Sequence, residues 1–175
     1  MSEKRKSIFW PRAVAFVIDM GIFFLIGFLI AIFINIITSG APVTPFEVYI
    51  RVIICFSIPF WVYSILSDFS KSGSTIGKKI MKLHVVTLEG KRLRIYQAIS
   101  RTAIKLIPWE LTHLTFFGLS EDWGAINNFS LTQMILMAIT YILIFLYIIV
   151  IIKMKGSKGI HDLISRTQLL RRNYS

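Results

Sequence analysis

The chain has 175 residues, of which 55% are hydrophobic and only 17% are charged. Soluble domains of this length usually have about a quarter charged residues, so this composition indicates a protein that lies in a lipid bilayer. Lysine and arginine outnumber aspartate and glutamate by 20 to 9, which gives a net charge of +11. Such an excess is typical of proteins that bind nucleic acid or an anionic membrane surface. Long stretches without charge favour the membrane and argue against a nucleic-acid partner.

Two segments are clear candidates for transmembrane helices. The first, residues 13–37, is interrupted only by Asp19 and Asn35, and the last, residues 131–152, is almost entirely aliphatic and aromatic. At 1.5 Å per residue, each is long enough to cross a hydrocarbon core of roughly 30 Å. We therefore expect an all-α membrane protein in which both segments span the bilayer.

Two further hydrophobic segments are less uniform. Residues 48–66 contain Arg51 near their start and Pro59 in their middle, and the ring and missing N–H of proline should kink the helix. Residues 102–119 contain several ionisable side chains, which are costly at mid-bilayer unless they face protein or water. This segment is either a fourth span or a re-entrant or surface helix.

The distribution of basic residues decides between these topologies. Basic residues cluster in 1–12, 71–101 and 153–172, whereas the connections 38–49 and 112–130 contain none. Because basic loops stay in the cytoplasm, four crossings place all three clusters on that side, and three crossings would place the tail outside. We therefore predict a single membrane domain over the whole chain, with four transmembrane helices and both termini in the cytoplasm.

A cytoplasmic loop, residues 68–101, separates the second and third predicted spans, and residues 153–175 form a cytoplasmic tail. Within the loop, Leu83, Val85 and Thr87 alternate with His84 and Val86, Glu89-Gly90 interrupts this pattern, and it resumes over residues 92–95. This pattern predicts a short cytoplasmic β-hairpin or loop between helices 2 and 3.

Asp19 is an acidic residue within the first predicted span, about two helical turns beyond Arg12 and on nearly the same face. An unpaired carboxylate at that depth would take up a proton, because burial disfavours its charged form. Two interpretations remain open. In one, Asp19 locks helices together by pairing with a cation from another span, such as Arg101 or Lys105. In the other, it relays protons or cations in a polar cavity.

The third predicted span contains Lys105, Glu110 and His113, of which Glu110 and His113 share a helix face. Pro108 should free a backbone carbonyl nearby. Polar groups beside a helix break either line a transporter cavity or mark a helix end that dips into the membrane interface.

The sequence from Gly73 to Lys79 is similar to a phosphate-binding loop but departs from its pattern. Only three residues separate its glycines, and Lys79 stands where a serine or threonine should bind Mg²⁺. We interpret the segment as a tight turn. It places Lys78, Lys79 and Lys82 at the level of the lipid headgroups, where each cation is worth about 1 kcal/mol against anionic lipid.

The sequence has no catalytic or metal-binding motif. Its histidines, His84, His113 and His161, are far apart, and none forms a pair with the spacing of metal ligands. The single cysteine, Cys55, excludes an internal disulfide and a cysteine-rich redox site. We therefore expect no enzyme activity, no metal and no cofactor.

Several short motifs follow one another along the chain, from Pro11-Arg12-Ala13 and Ile18-Asp19, through Gly73 to Lys79, Leu83-His84-Val85-Val86 and Ala98-Ile99-Ser100-Arg101, to His161-Asp162-Leu163-Ile164-Ser165-Arg166-Thr167. In this order they resemble the RDD family of small polytopic membrane proteins, over residues 10–169. The family is named for one arginine and two aspartates. Arg12 and Asp19 match the first two, and Asp162 is our choice for the third, with Asp68 as the alternative.

The resemblance implies a bacterial cytoplasmic (inner) membrane protein that transports an unknown small ligand. Some family members are proposed to exchange monovalent cations for protons, and others look like accessory parts of larger membrane assemblies. We therefore expect transport of a small solute or monovalent cation, coupled to protons through Asp19. The alternative is a non-transporting scaffold or assembly factor that binds anionic lipid and partner proteins. Because four helices enclose little volume, we also expect a homo-oligomer or a complex with a partner membrane protein.

The signature also predicts one contact between distant parts of the chain. His161 and Asp162 follow the last span after a short, glycine-containing turn, so the chain can return to the cytoplasmic mouth of the helices. We expect Asp162 to meet Arg12 or Arg101 there.

Overall fold

The computed structural model is mostly helical and describes residues 7–38, 40, 42–120 and 129–172. The parts of the predicted charge pattern at positions 1–6, 121–128 and 173–175 lie outside these described residues. The helices are α1 (Phe9–Ile37), α2 (Pro45–Val52), α3 (Ile58–Phe69), α4 (Ile76–Ile80), α5 (Ile95–His113), α6 (Leu131–Lys153) and α7 (Ile160–Ile164). The strands are β1 (Leu83–Thr87) and β2 (Thr167–Arg171), and π-helical turns occupy Ile53–Ser57 and Leu114–Gly118.

Among the described residues, three helices are long and apolar enough to cross a membrane. They are Phe9–Ile37, Pro45–Phe69, which combines α2, the first π-helical turn and α3, and Leu131–Lys153. Their large apolar side chains are mostly exposed, as in Phe33 of α1 and Phe145 of α6, which is the arrangement expected for helices solvated by lipid. These helices correspond to three of the four predicted spans. The fourth crossing, which we assigned to residues 102–119, stays a prediction.

Local sequence explains where the second of these helices begins and why it is irregular. Thr44 caps α2 by accepting from the Glu47 backbone N–H, the Glu47 side chain accepts from the N–H groups of Val43 and Thr44, and Pro45 occupies the first turn. The π-helical turn ends just before Pro59. A wider turn at this point accommodates a residue that cannot donate its own helical hydrogen bond.

The predicted hairpin is wrong in its second strand. Strand β1 pairs antiparallel with β2 of the tail, with Val85 opposite Leu169, and residues 92–94 form no strand. The expected turn does exist, since the Gly90 N–H donates to the Thr87 carbonyl and Gly90 has φ of +79°. Strand β1 pairs with β2 of the tail and not with residues 92–94, because a lone two-stranded hairpin is marginally stable. Pairing with β2 also buries Leu169, which is 1% exposed.

The chain forms two compact units. The first comprises residues 1–21, 62–105 and 146–175, and the second comprises residues 22–61 and 106–145. The core of the first unit is built mainly from β1, β2 and the start of α1 and α5, with the buried residues Ile8, Ala15, Leu83, Val85, Leu93, Ala98 and Leu169.

Aromatic contacts and close helix packing characterise the second unit. The Phe24 ring lies 5.8 Å from the Phe56 ring and 6.2 Å from the Trp109 ring, measured between centroids. Gly27 packs so closely against Phe56 that an added Cβ would lie 2.4 Å from its ring. The buried Gln133 amide donates to the Thr115 carbonyl within the second π-helical turn, so a side chain satisfies a backbone acceptor that the irregular turn exposes.

Candidate functional site

A buried ionic network lies in the first unit. Arg12 Nη2 bonds to Asp162 Oδ2 at 2.6 Å, and Arg101 Nε bonds to Asp162 Oδ1 at 2.9 Å. Arg101 Nη1 also bonds to Asp68, and Lys78 Nζ lies 2.5 Å from Asp68 Oδ1. Both aspartate side chains are 0% exposed. Because an unpaired buried charge is very unfavourable, each of these acids needs its cations to remain ionised in the folded protein.

Asp162 is positioned by its own short helix as well as by the arginines. Its Oδ2 accepts from the Gly159 N–H at 2.8 Å, and its Oδ1 accepts from the Thr167 hydroxyl at 3.2 Å. Gly159 immediately precedes α7, so the carboxylate satisfies a backbone donor at the helix start. The structure therefore places Asp162 against both arginines that the sequence analysis offered as alternatives.

The tail also packs directly onto the start of α1. Arg12 Nη1 donates to the Gly156 carbonyl at 2.9 Å, and the Ile8 N–H donates to the Lys155 carbonyl at 2.9 Å. Gly156 has φ of +83°, and an added Cβ would lie 2.3 Å from the Phe9 nitrogen. Glycine is required here both by the backbone conformation and by the close approach of the two chain segments.

His161 is a neutral member of the network. It is 3% exposed, and its Nε2 lies 2.8 Å from Arg12 Nη2, which can donate to it. Burial lowers the pKa of His161 well below its ordinary value, although Asp162 acts in the opposite direction. For Asp162, burial favours a higher pKa, but the guanidinium groups of Arg101 and Arg12 hold the pKa of this carboxyl well below its ordinary value.

Asp19 occupies a separate position in the first unit and is 5% exposed. Its Oδ2 accepts from the Thr75 hydroxyl at 2.6 Å, and its Oδ1 accepts from the Gly77 N–H at 2.8 Å. The Tyr63 hydroxyl lies 3.4 Å from the same Oδ1 and donates to it. These three donors are neutral, so hydrogen bonds from hydroxyl and amide groups stabilise the carboxylate.

Gly77 allows the polar turn to reach Asp19. An added Cβ at Gly77 would lie 2.1 Å from the Ala15 carbonyl oxygen, so the backbone of α4 contacts the backbone of α1 directly. Thr75 caps α4 by accepting from the Lys78 N–H. The segment that is similar to a phosphate-binding loop thus directs its donors at a protein carboxylate.

The expected pairing of Asp19 with Arg101 is wrong. Arg101 is 2% exposed, and it bonds to Asp68 and Asp162, because those carboxylates meet its guanidinium from two sides. Lys105, the other cation we considered, is half-buried in α5. Sequence reasoning missed Thr75 and Gly77 as partners of Asp19. The available signal was a threonine in the position of a helix cap with glycine two residues later, which predicts a turn that can approach another backbone closely.

A second polar cluster lies in the second unit and contains two of the predicted residues, Glu110 and His113. Trp61 Nε1 donates to Glu110 Oε1 at 3.0 Å, and the Ser57 hydroxyl donates to Glu110 Oε2 at 3.1 Å. His113 Nδ1 lies 3.7 Å from Glu110 Oε2 and 3.5 Å from Ser57 Oγ. Ser57 and Trp61 gave no signal in the sequence because both look like ordinary residues of an apolar helix.

The predicted effect of Pro108 is visible in the first unit. The carbonyl of Ile104, four residues before Pro108, accepts a hydrogen bond from the Tyr147 hydroxyl. Proline cannot donate to this carbonyl within the helix. A tyrosine of α6 therefore satisfies it instead.

The three lysines that we assigned to lipid headgroups lie in different environments. Lys78 has a side chain that is 13% exposed and bonds to Asp68, and burial lowers its pKa although Asp68 acts in the opposite direction. Lys79 and Lys82 are exposed. Binding of anionic headgroups stays a prediction for these two residues.

Three apolar helices of membrane-spanning length, with charged groups gathered beside them, define an α-helical multi-pass membrane protein. The chain belongs to the RDD family, whose model matches residues 7–166. This match includes Arg12, Asp19, Asp68 and Asp162. No curated protein and no solved structure matches the chain.

Proposed function

We propose that this protein transports a small solute or a monovalent cation across the cytoplasmic (inner) membrane, and that Asp19 couples this transport to protons. The observation that carries the proposal is a carboxylate that is 5% exposed within the apolar helix α1. Acids are expensive to bury at membrane depth, and they mark the pathways of ions and protons. The RDD resemblance adds support because it implies transport.

The hydrogen bonds of Asp19 suggest how a proton changes the protein. In the ionised form, its two oxygens accept from Thr75, Gly77 and Tyr63. A proton on either oxygen turns it from an acceptor into a hydroxyl, so a hydrogen bond at that oxygen must weaken or reverse its direction. Protonation then loosens the contact between α1 and the turn that precedes α4. A bound cation would stabilise the ionised form, so proton and cation would compete for it.

We also propose that α5 and the π-helical turn that follows it form the fourth crossing, with both termini in the cytoplasm. The pairing of β1 with β2 supports this topology. Hydrogen-bonded strands lie on the same side of a membrane, so the chain between them crosses an even number of times. Because α6 is one of these crossings, α5 supplies the other.

Flux measurements in proteoliposomes test the transport proposal. When a gradient of Na⁺ or K⁺ is imposed, purified wild-type protein should move protons in the direction opposite to the cation. Asp19→Asn should remove this proton flux. Glu89→Gln is the matched control, because it also replaces a carboxylate with an amide but lies at an exposed position whose side chain is 72% accessible. Equal flux in wild-type, Asp19→Asn and empty vesicles would overturn the proposal. If a partner protein then co-purified in a fixed ratio, the scaffold alternative would replace it.

A further inference from the structure

We propose that His113, Ser57 and Glu110 form a proton-binding relay in the second unit, in which the Ser57 hydroxyl carries a proton between the imidazole and the carboxylate. As part of transport, this Ser57 relay rests on the proposed function. As a proton-binding site, it is independent of Asp19 and has its own test.

The geometry gives each atom of the relay a defined role. The Trp61 N–H occupies Glu110 Oε1 at 3.0 Å, which leaves Oε2 to face Ser57 and His113. Ser57 Oγ is 3.1 Å from Oε2 and 3.5 Å from His113 Nδ1, so one hydroxyl is in reach of both titratable groups. The imidazole and carboxylate are 3.7 Å apart, beyond direct hydrogen-bond distance, whereas the Ser57 hydroxyl lies within 3.5 Å of both groups.

Irregular backbone surrounds this cluster on both helices. Ser57 is the last residue of the first π-helical turn, and His113 immediately precedes the second. Short π-helical turns are frequent at functional sites, where they redirect a side chain away from the regular helix face. Here they occur on both segments at the residues that the relay uses.

The three side chains of the cluster differ in how far they are exposed. The side chains of Glu110 and His113 are 24% and 12% exposed. Ser57 is 4% exposed. Glu110 and His113 therefore lie partly at the surface of the unit, whereas the hydroxyl that connects them is buried.

Proton transfer through Ser57 balances at every atom. With His113 protonated, its Nδ1–H donates to Ser57 Oγ, and the Ser57 hydroxyl donates to Glu110 Oε2. Transfer breaks the Nδ1–H bond and forms a new O–H bond on Ser57, while the original hydroxyl proton moves to Oε2. The products are a neutral imidazole and a protonated carboxyl, and the serine is unchanged.

This unit contains other titratable groups besides Glu110 and His113. Among its described residues they are Glu47, Tyr49, Arg51, Cys55 and Tyr141. Glu47 caps α2, and the Arg51 guanidinium bonds to Asn35 and to the Gly40 carbonyl. The partners found for Glu110 are thus the neutral donors Ser57 and Trp61 and the titratable His113.

Infrared difference spectroscopy in lipid nanodiscs tests the relay without any transport measurement. Spectra are compared between about pH 5 and about pH 8, the range in which an imidazole changes its charge. The wild type should show a pH-dependent carboxylate band that Glu110→Gln removes and that Ser57→Ala and His113→Gln shift. Glu89→Gln and His84→Gln are matched controls that remove the same groups outside the relay, and they should leave the band unchanged.

The conservative variant Ser57→Ala keeps the test valid if Glu110→Gln does not fold. A band that persists in Glu110→Gln, or that neither Ser57→Ala nor His113→Gln shifts, would overturn the relay. Proteoliposome flux separates this failure from that of the proposed function. The expected band without flux in the wild type supports proton binding but overturns transport, whereas flux without the band overturns the relay alone.

Discussion

Arg12 and Asp162 are 150 positions apart in the chain, yet Arg12 Nη2 and Asp162 Oδ2 lie 2.6 Å from each other. This ion pair fastens the first turns of α1 to the tail that follows α6. Since Arg101 bonds to the other oxygen of Asp162, this one acid bonds to two arginines. The pair is therefore part of a network and does not act as an isolated lock.

The first prediction concerns the unequal number of charged partners of Asp162 and Arg12. Asp162→Asn leaves Arg12 without its acid and leaves Arg101 with Asp68 alone, whereas Arg12→Gln leaves Asp162 paired with Arg101. Breaking a buried pair on one side typically costs about 3–5 kcal/mol, and we expect Asp162→Asn to reach this range and Arg12→Gln to cost less. Thermal unfolding in detergent measures the difference. Exchanging arginine and aspartate between positions 12 and 162 should not restore stability, because the new arginine would face Arg101. Full recovery in the exchanged variant would contradict the network.

The second prediction concerns the contact between α4 and α1. Gly77→Ala places a Cβ 2.1 Å from the Ala15 carbonyl oxygen, which is closer than non-bonded atoms can approach, so the turn that holds Asp19 must move. We expect a loss of about 1–3 kcal/mol in stability, as for overpacked sites in general. Gly21→Ala is the control, because an added Cβ there has no neighbour within 4 Å. Equal melting temperatures for the two variants would show that this backbone contact is absent.

The third prediction concerns pH. The folded protein holds His161 neutral, with a pKa well below its ordinary value of 6.5. Below that value the unfolded chain binds a proton that the folded chain does not, so the free energy of unfolding falls as the pH falls. Complete linkage of one proton gives a slope of about 1.4 kcal/mol per pH unit. His161→Gln keeps an acceptor for Arg12 but cannot titrate, so it should reduce this slope.

Melting temperatures measured between about pH 8 and about pH 5 test this expectation, since histidines titrate in that range. Part of the slope should remain in His161→Gln, because burial also lowers the pKa of His84, with a smaller contribution from Arg172. The double variant His84→Gln and His161→Gln should be flatter still. An unchanged slope in His161→Gln would show that this histidine is not held neutral.

The fourth prediction concerns topology. In a Cys55→Ser background, single cysteines replace Val43, Lys91 and Arg171, which are exposed. With four crossings, a membrane-impermeant thiol reagent added to intact cells should label Val43→Cys and leave both Lys91→Cys and Arg171→Cys unlabelled. Permeabilised cells provide the control, since all three variants should react there. Labelling of Arg171→Cys in intact cells would contradict the proposal that the chain crosses the membrane a fourth time.

Much of the candidate site was visible in the sequence as residue types but not as contacts. Arg12, Asp19 and Asp162 stand out because charged residues are rare in or beside apolar segments. Their partners do not stand out. Thr75 and Gly77 lie in a turn that is similar to a phosphate-binding loop, and only the close approach of that turn to Ala15 assigns its donors to Asp19. Asp68 and Asp162 were alternatives in the sequence, whereas in the structure both bond to Arg101.

In the sheet, too, the sequence predicted the local elements but not the contact between them. Alternation over residues 83–87 correctly predicted a strand, and Gly90 correctly predicted a turn. The choice of partner was wrong, because β2 lies 80 residues further along the chain and carries no local signal that links it to β1. Pairing was decided by burial of Leu169 among Leu83 and Val85, which depends on where α6 returns the tail.

The sequence by itself determined that this chain belongs in a membrane, because long apolar segments and clustered basic residues set the free energy of transfer segment by segment. Only the tertiary structure decided which acid meets which cation, which strand pairs with β1, and which hydroxyl lies between Glu110 and His113. These outcomes depend on contacts at a few ångströms between residues far apart in the chain, and the energy of such a contact exists only after the helices have packed.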